Sequence, residues 1–349
     1  MPSEHWVFDG HTDVLLDLHL TERGGGRSFF ERGDQGHVDL PRAADAGYGG
    51  GFFAMFTPND EMPDLQRTDD GYEMALPEPI STERAQSFTD ELLSHGEHLD
   101  ELASDDEFRI VRSLADFDRC RDDGVVVGIF HLEGAEAVEP DLSNLATLYD
   151  RGVRSIGLVW SRPNDFGHGV PFRYPATPDI GPGLTDAGRA LVRACEDRGI
   201  VVDLAHLNAA GFWDVAGACS NPLVVSHTAV HAICPATRNL TDDQLDAIAD
   251  SGGVVGISLA VENLREDGDQ VLDTPVSVVA DHVEYVADRI GIEHVALGSD
   301  FDGCTISDSV GDVTGVPKLL AELESRGFDD AELAAFAHGN WRRVLDAWW

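Results

Sequence analysis

Val125-Val126-Val127-Gly128-Ile129-Phe130-His131-Leu132-Glu133-Gly134 decides the fold. An unbroken apolar run of this length reads as a strand buried on both faces, because a strand with one wet face would alternate. Two ionisable side chains close it. The same construction recurs along the chain. Trp6-Val7-Phe8 leads into Asp9-Gly10-His11-Thr12-Asp13, and Gly51-Phe52-Phe53-Ala54-Met55-Phe56 follows. Further runs are Ser155-Ile156-Gly157-Leu158-Val159-Trp160, Ile200-Val201-Val202-Asp203-Leu204 and Leu223-Val224-Val225-Ser226. Gly253-Val254-Val255-Gly256-Ile257-Ser258-Leu259 and Val295-Ala296-Leu297-Gly298 complete the set. Helical spacing fills the gaps. From Ser81 the apolar positions are Ala85, Phe88, Leu92, Leu99 and Leu102, and over 276–290 they are Val279, Val283, Val286, Ala287 and Ile290. Shorter helices are expected at 142–149, 186–197, from Asn208, and at 242–249. Eight strands alternating with helices, with no break in composition, predict a single α/β domain over 1–349: a (β/α)8 TIM barrel. A doubly wound open sheet is the other arrangement with this rhythm. Segments 21–37, 57–77 and the stretch from Trp160 to Pro182 read as long loops at the active-site rim. No G-x-G-x-x-G follows a strand, and there is no P-loop.

The chain has 349 residues and 42% hydrophobic content, ample for a large core. Asp and Glu number 64 against 24 Lys and Arg, a net charge of −40, and Lys318 is the only lysine. Such a surface repels nucleic acid and anionic membrane, so neither is expected as a partner. The apolar pattern is normal, so the acidity signals halophilic adaptation rather than disorder. No apolar run approaches the ~18 residues that span a bilayer. Met1-Pro2-Ser3-Glu4-His5 lacks a basic n-region, and Trp348-Trp349 is not a lipid-anchor signal; a cytoplasmic protein is expected. Cys120, Cys195, Cys219, Cys234 and Cys304 form no C-x-x-C pair and read as reduced thiols.

Polar residues gather at the carboxyl ends of the predicted strands: His11 and Asp13, His131 and Glu133, His206, His227, and Asp300 with Asp302. In a barrel all these ends meet at one rim. His11 and Asp13 are two apart, so an extended strand sends both side chains to one face. Taken alone, His206 and His227 read as hydrogen-bonded rim histidines, Asp302 as a turn former before Gly303, and Arg238 as a partner for a surface carboxylate. Together, three imidazoles and two carboxylates suit a pair of borderline cations such as Zn²⁺, one carboxylate bridging. A water shared by two ions ~3.5–4 Å apart is a nucleophile at neutral pH, and Asp300 is placed to handle a proton. His131 and Glu133 share a face, and periodicity does not choose between them.

The ordered set of motifs resembles the membrane dipeptidase (renal dipeptidase) family of dinuclear zinc peptidases, among the amidohydrolase-like barrels. The matching pieces are Asp9-Gly10-His11-Thr12-Asp13, His37-Val38-Asp39-Leu40-Pro41, Glu133-Gly134, Gly152-Val153-Arg154, Asp203-Leu204-Ala205-His206, Ser226-His227, Arg238-Asn239-Leu240-Thr241-Asp242 and Gly298-Ser299-Asp300-Phe301-Asp302-Gly303. They cover nearly the whole chain. The resemblance implies that His11, Asp13 and Glu133 hold one zinc, that Glu133 bridges, and that His206 and His227 complete the second site. It implies that Arg238 grips the carboxylate of a dipeptide, a bidentate task suited to guanidinium. Asp300 would be the acid/base residue, and a metal-bridging hydroxide would attack the peptide bond. Mn²⁺ or Co²⁺ suits the same ligands.

One departure stands out. Many animal members carry a histidine at the end of strand four, where this chain has Trp160; an indole offers one neutral N–H and no charge. Trp160 is thereby expected at the substrate, with oxyanion stabilisation resting more on zinc. His168, in the same loop, is a second candidate for that contact. The other functions compatible with the site are those of a lactonase or N-acyl-amino-acid hydrolase, and, from a different class, a catalytically silent binding barrel. A homodimer is expected from the base rate for soluble enzymes.

Overall fold

The computed structural model describes residues 6–20, 23 and 26–349. The reading of 1–5 as no signal peptide, and part of the predicted 21–37 loop, lie outside the described residues.

The apolar runs form eight parallel strands: β1 (Val7–Thr12), β2 (Tyr48–Met55), β3 (Val126–Glu133), β4 (Val153–Gly157), β5 (Val201–Asp203), β6 (Val224–Thr228), β7 (Val254–Ile257) and β8 (Val295–Leu297). They pair in chain order. Every crossover carries helix, which is what a parallel return requires. Closure is made just above the last strand. Asp13 N donates to Phe301 O at 2.8 Å, and Asp300 N donates to His11 O at 3.0 Å. A buried carboxylate staples the seam. Asp9 accepts from Ser299 N at 2.6 Å, from Ser299 Oγ, and from Tyr48 Oη at 2.8 Å, so one side chain ties β8, β1 and β2. The result is the expected (β/α)8 barrel.

Helix starts are set locally. Ser81 Oγ caps the helix Thr82–Leu102 through Arg84 N, Thr185 caps Asp186–Glu196, and Thr241 with Gln244 makes a capping box on Asp242–Asp250. The barrel floor is tight. A Cβ on Gly10 would stand 2.2 Å from Ser226 O and 2.4 Å from the Trp341 ring, so this position admits only glycine. Trp341 is fully buried, packs edge-on against Phe8 and Phe52, and donates its Nε1 to Leu297 O at 3.0 Å.

The structure differs from the sequence reading in three places. The fourth strand stops at Gly157, so Trp160 stands on the loop above it. The 57–77 loop contains the strands Gln66–Arg67 and Tyr72–Met74, which join Phe172–Tyr174 in a small antiparallel sheet over the rim. Phe108–Ile110 adds an outer strand beside β3. Apolar content alone did not reveal these short pieces, because two or three residues carry no period. The cysteines are free, and no described helix is long and apolar enough to cross a membrane.

Candidate active site

The strand ends bring six side chains to one point. His11 Nε2 lies 3.4 Å from Asp13 Oδ2, 3.7 Å from Glu133 Oε2 and 4.0 Å from Asp300 Oδ1. His206 Nε2 lies 2.9 Å and His227 Nε2 3.7 Å from the other Glu133 oxygen, Oε1. Three overlapping groups have the spacing of a metal site: His11 with Asp13 and Glu133, Glu133 with His206 and His227, and His11 with His227 and Asp300. Glu133 is common to the first two and presents one oxygen to each.

The backbone is bent to achieve this. His206, Asp300 and Asp302 adopt left-handed conformations, with φ of 65°, 63° and 66°. Non-glycine residues bear a cost there, of order 1–3 kcal/mol, and such strain gathers at functional sites. Gly303 leaves the space these side chains need. A Cβ on it would meet Asp13 Oδ2 at 2.2 Å and Asp300 Oδ1 at 2.3 Å.

The electrostatics are unbalanced without a cation. Burial raises Glu133 to about 8 and Asp300 to about 7, although the nearby His11 pulls both down. Burial opposes a charge on His11, but Glu133, Asp13 and Asp300 raise it to about 10. Burial, with Arg238 and His11 nearby, holds His206 and His227 well below the usual histidine value, so both are neutral. His11 Nε2 is fully buried with no hydrogen-bond partner. A buried polar atom costs stability unless something satisfies it. Neutral imidazoles, clustered carboxylates and an orphaned ring nitrogen are the donor set of a divalent metal site, so the residues present fit the metal that the chemistry implies.

A second layer aims these ligands. Ser226 Oγ donates to Asp203 Oδ2 at 2.6 Å and contacts His227 Nδ1 at 2.8 Å. A hydroxyl has one proton, already given to Asp203. His227 Nδ1 must therefore be the donor, which leaves the Nε2 lone pair facing Glu133. Ser161 Oγ holds His206 Nδ1 at 2.8 Å. Sequence reasoning assigned no role to Ser161, Ser226 or Asp203: Ser161 and Asp203 act from a loop or strand beside that of their targets, and Ser226, next to His227 on one strand, takes its role from Asp203 across the gap. His131 is not in the ligand groups. It lies deeper in the barrel, held by Ser155 Oγ at 2.9 Å with its Nε2 3.5 Å from Asp203.

Above the cluster is a cavity of about 380 Å³, within the ~300–1,000 Å³ range of small-molecule sites. Trp160 forms part of its wall, its ring 4.7 Å from Phe56 and 5.8 Å from His206. Arg238 also lines it, buried, with Nη2 3.4 Å from His206 Nε2 and donating to His227 O at 3.3 Å. No carboxylate pairs with Arg238 within 4 Å among the described residues, so the surface ion pair considered from sequence alone does not form. His168 does not line the cavity. Asp302 faces away from the cluster, accepting from His37 N at 2.5 Å and Arg27 Nη2 at 3.2 Å. It anchors the first loop as well as turning the chain.

Residues 1–348 match the family model described as membrane dipeptidase (peptidase family M19). A metallopeptidase from Rhodobacter sphaeroides, solved with a phosphinate mimic of L-Ala-D-Ala, is 42% identical; the match covers 99% of this chain and 100% of that one, with a TM-score of 0.94. A structure described as the dipeptidase AC is also 42% identical, covering 99% of each chain with a TM-score of 0.92. An uncharacterised Klebsiella pneumoniae protein of the pqqA 5′ region is 44% identical over 69% of this chain and 89% of its own length. The neighbours are dipeptidases, the strand-end chemistry suits a metal, and the match runs through every motif: the chain belongs to the membrane dipeptidase family, peptidase family M19, and is a metal-dependent hydrolase.

Proposed function

We propose that this metallopeptidase is a dinuclear zinc dipeptidase. The observation that carries the reading is Glu133, whose two oxygens face two different groups of ligand atoms. His11, Asp13 and Glu133 would hold one cation, and Glu133, His206 and His227 the other. Two bound cations supply Lewis acidity toward a carbonyl and a water of lowered pKa.

The protein's own side chains do the rest. Arg238, buried beside His206, binds the free carboxylate of the substrate and so places the peptide bond over Glu133. That anchor favours substrates ending one residue beyond the scissile bond. Asp300, whose Oδ1 lies 4.0 Å from His11 Nε2 at the edge of the cluster, is the carboxylate that passes a proton to the departing amine. Trp160 closes the wall on the His206 side and keeps water from that flank.

The experiment measures metal content and cleavage of L-X–L-Y and L-X–D-Y dipeptides before and after chelation, in molar salt. About two metals per chain and chelator-sensitive cleavage are expected. Two metals with hydrolysis of lactones or N-acyl-amino acids but not dipeptides would overturn the substrate assignment. Absence of both metal and activity would overturn the enzyme.

A further inference from the structure

Glu262 sits on the short helix Val261–Leu264 beyond β7 and lines the catalytic cavity, yet it belongs to none of the metal-ligand groups. Its Oε2 is buried without a hydrogen-bond partner. Among the described residues no arginine, lysine or histidine nitrogen lies within 4 Å of it, in a chain where ion pairs are abundant. The cavity's arginines are committed elsewhere: Arg67 to Asp269 at 2.7 Å, Arg23 to Asp302 O at 3.3 Å, and Arg238 beside His206 and His227. A buried carboxylate oxygen without a partner disfavours the ionised form. Burial accordingly raises the Glu262 pKa, and the side chain of Gln270, exposed on the neighbouring loop, is the one neighbour that hydrogen-bonds its carboxylate.

Its surroundings define what would relieve it. Tyr72 of the small rim sheet, Cys304 and Asp300 share the cavity wall with it, and Tyr72 feels its charge, so it stands toward the rim and outside the metal-ligand groups. In a bound dipeptide the α-nitrogen is only two bonds, about 2.5 Å, from the carbonyl carbon that reacts. It therefore stays near Asp300. A group further out must be carried by a side chain, and an aromatic wall such as Tyr72 suits its methylene stem.

We propose that Glu262 is a specificity-determining residue that selects dipeptides whose amino-terminal residue carries a cationic side chain, an ammonium or guanidinium on an alkyl stem. The assignment rests on the dipeptidase reading and on Arg238 holding the carboxylate.

The test compares Lys-Ala with norleucyl-Ala, which has the same stem without the charge, and Arg-Ala with citrullyl-Ala. Both kcat/KM and binding by calorimetry are measured on the metal-loaded protein. The cationic member of each pair is expected to be favoured about 10- to 100-fold, the range of a hydrogen bond to a charged group. In Glu262→Gln that ratio is expected to fall to near one. Cleavage of norleucyl-Ala without preference for Lys-Ala in the unmodified protein would overturn the subsite and leave the dipeptidase intact. Equal loss on both members in Glu262→Gln would overturn it too, pointing to the shared α-ammonium. If no dipeptide is turned over, the dipeptidase reading fails, and equal binding of both members then overturns the subsite separately.

Discussion

The ε nitrogens of His206 and His227 stand 3.0 Å apart, each within 3.7 Å of the same Glu133 oxygen. Both rings are neutral, and His227 has spent its one N–H on Ser226. Its lone pair therefore points at a second nitrogen and a carboxylate oxygen. Acceptors brought this close need a proton or a cation among them. A divalent ion satisfies all three at once, and the fold has already met the cost of assembling them.

Glu133→Gln should then remove more than one charge. The amide keeps the shape but offers one oxygen and an N–H where the carboxylate offered two acceptors. Both ligand groups lose a member, so metal content is expected to drop from about two per chain to well below one. His206→Ala breaks only one group and should retain about one metal. Equal metal content in the two variants, measured by elemental analysis, would show that Glu133 is not shared.

Metal binding should strengthen with pH. In the metal-free chain Glu133 is raised to about 8 and Asp300 to about 7, chiefly by burial. A raised carboxyl lends stability that is whole below its unfolded value, about 4. That contribution is lost as pH climbs through 7 and 8. His11, raised to about 10 by its carboxylate neighbours against burial, adds stability that is whole below about 6.5 and lost as pH rises through 10. Cations displace these protons. The gap in Tm between metal-loaded and chelated protein should therefore widen from pH 6 to pH 9. A gap that narrows over that window would mean that the ligands are not protonated in the free chain.

The relay behind His227 predicts a graded loss. Ser226→Ala frees His227 to take either tautomer, and Asp203→Asn weakens the acceptor that commits the serine proton. Disturbing such supporting groups commonly lowers metal affinity by about 10- to 100-fold. Titration with a competing chelator measures it. Asp203→Asn should recover more affinity than Asp203→Ala, because the amide oxygen still accepts from Ser226; equal losses would reduce Asp203 to packing.

How much of this was legible beforehand follows from the geometry. Strand period two pairs His11 with Asp13 in the sequence, although Asp13 stands one residue past β1 at the start of the next helix, and the barrel puts every strand end on one rim, so the cluster could be assembled from spacing. The choice between His131 and Glu133 could not. The two share a face, and only depth separates them: His131 is caught by Ser155 and Asp203, whereas Glu133 reaches the rim. Trp160 was assigned to a strand end because its apolar run continues past Gly157, where pairing stops. Glu262 left no mark in the sequence. Among 64 acidic residues one more carboxylate carries no signal until its buried, unpartnered Oε2 is seen among the described residues.

Stability should rise with salt. Acidic residues exceed basic ones by 40, and their mutual repulsion is screened as ionic strength grows. Salt also weakens exposed ion pairs such as Arg67–Asp269 and Arg289–Asp246, but solvent already screens each of these and leaves it a small contribution. Repulsion acts over the whole surface and the pairs act singly, so screening wins. Tm measured in molar KCl should exceed that at low salt, and a fall would mean that the pairs dominate.

Arg238 offers the sharpest separation of binding from chemistry. Its guanidinium is buried beside His206 with no carboxylate partner among the described residues, so a substrate carboxylate is what completes it. Removing one side of a buried charge pair costs about 2–5 kcal/mol. Arg238→Ala should therefore lower kcat/KM for a dipeptide by roughly 30-fold or more, mainly through KM, because the anchor is made in ground state and transition state alike. Dipeptide amides give the control. The unmodified protein should discriminate against them, since a neutral amide leaves the guanidinium unpaired. In Arg238→Ala that discrimination should vanish, acid and amide being cleaved at similar rates. If acid is still preferred over amide in the variant, the carboxylate is held elsewhere in the cavity, and Arg23 and Arg67 become the groups to test.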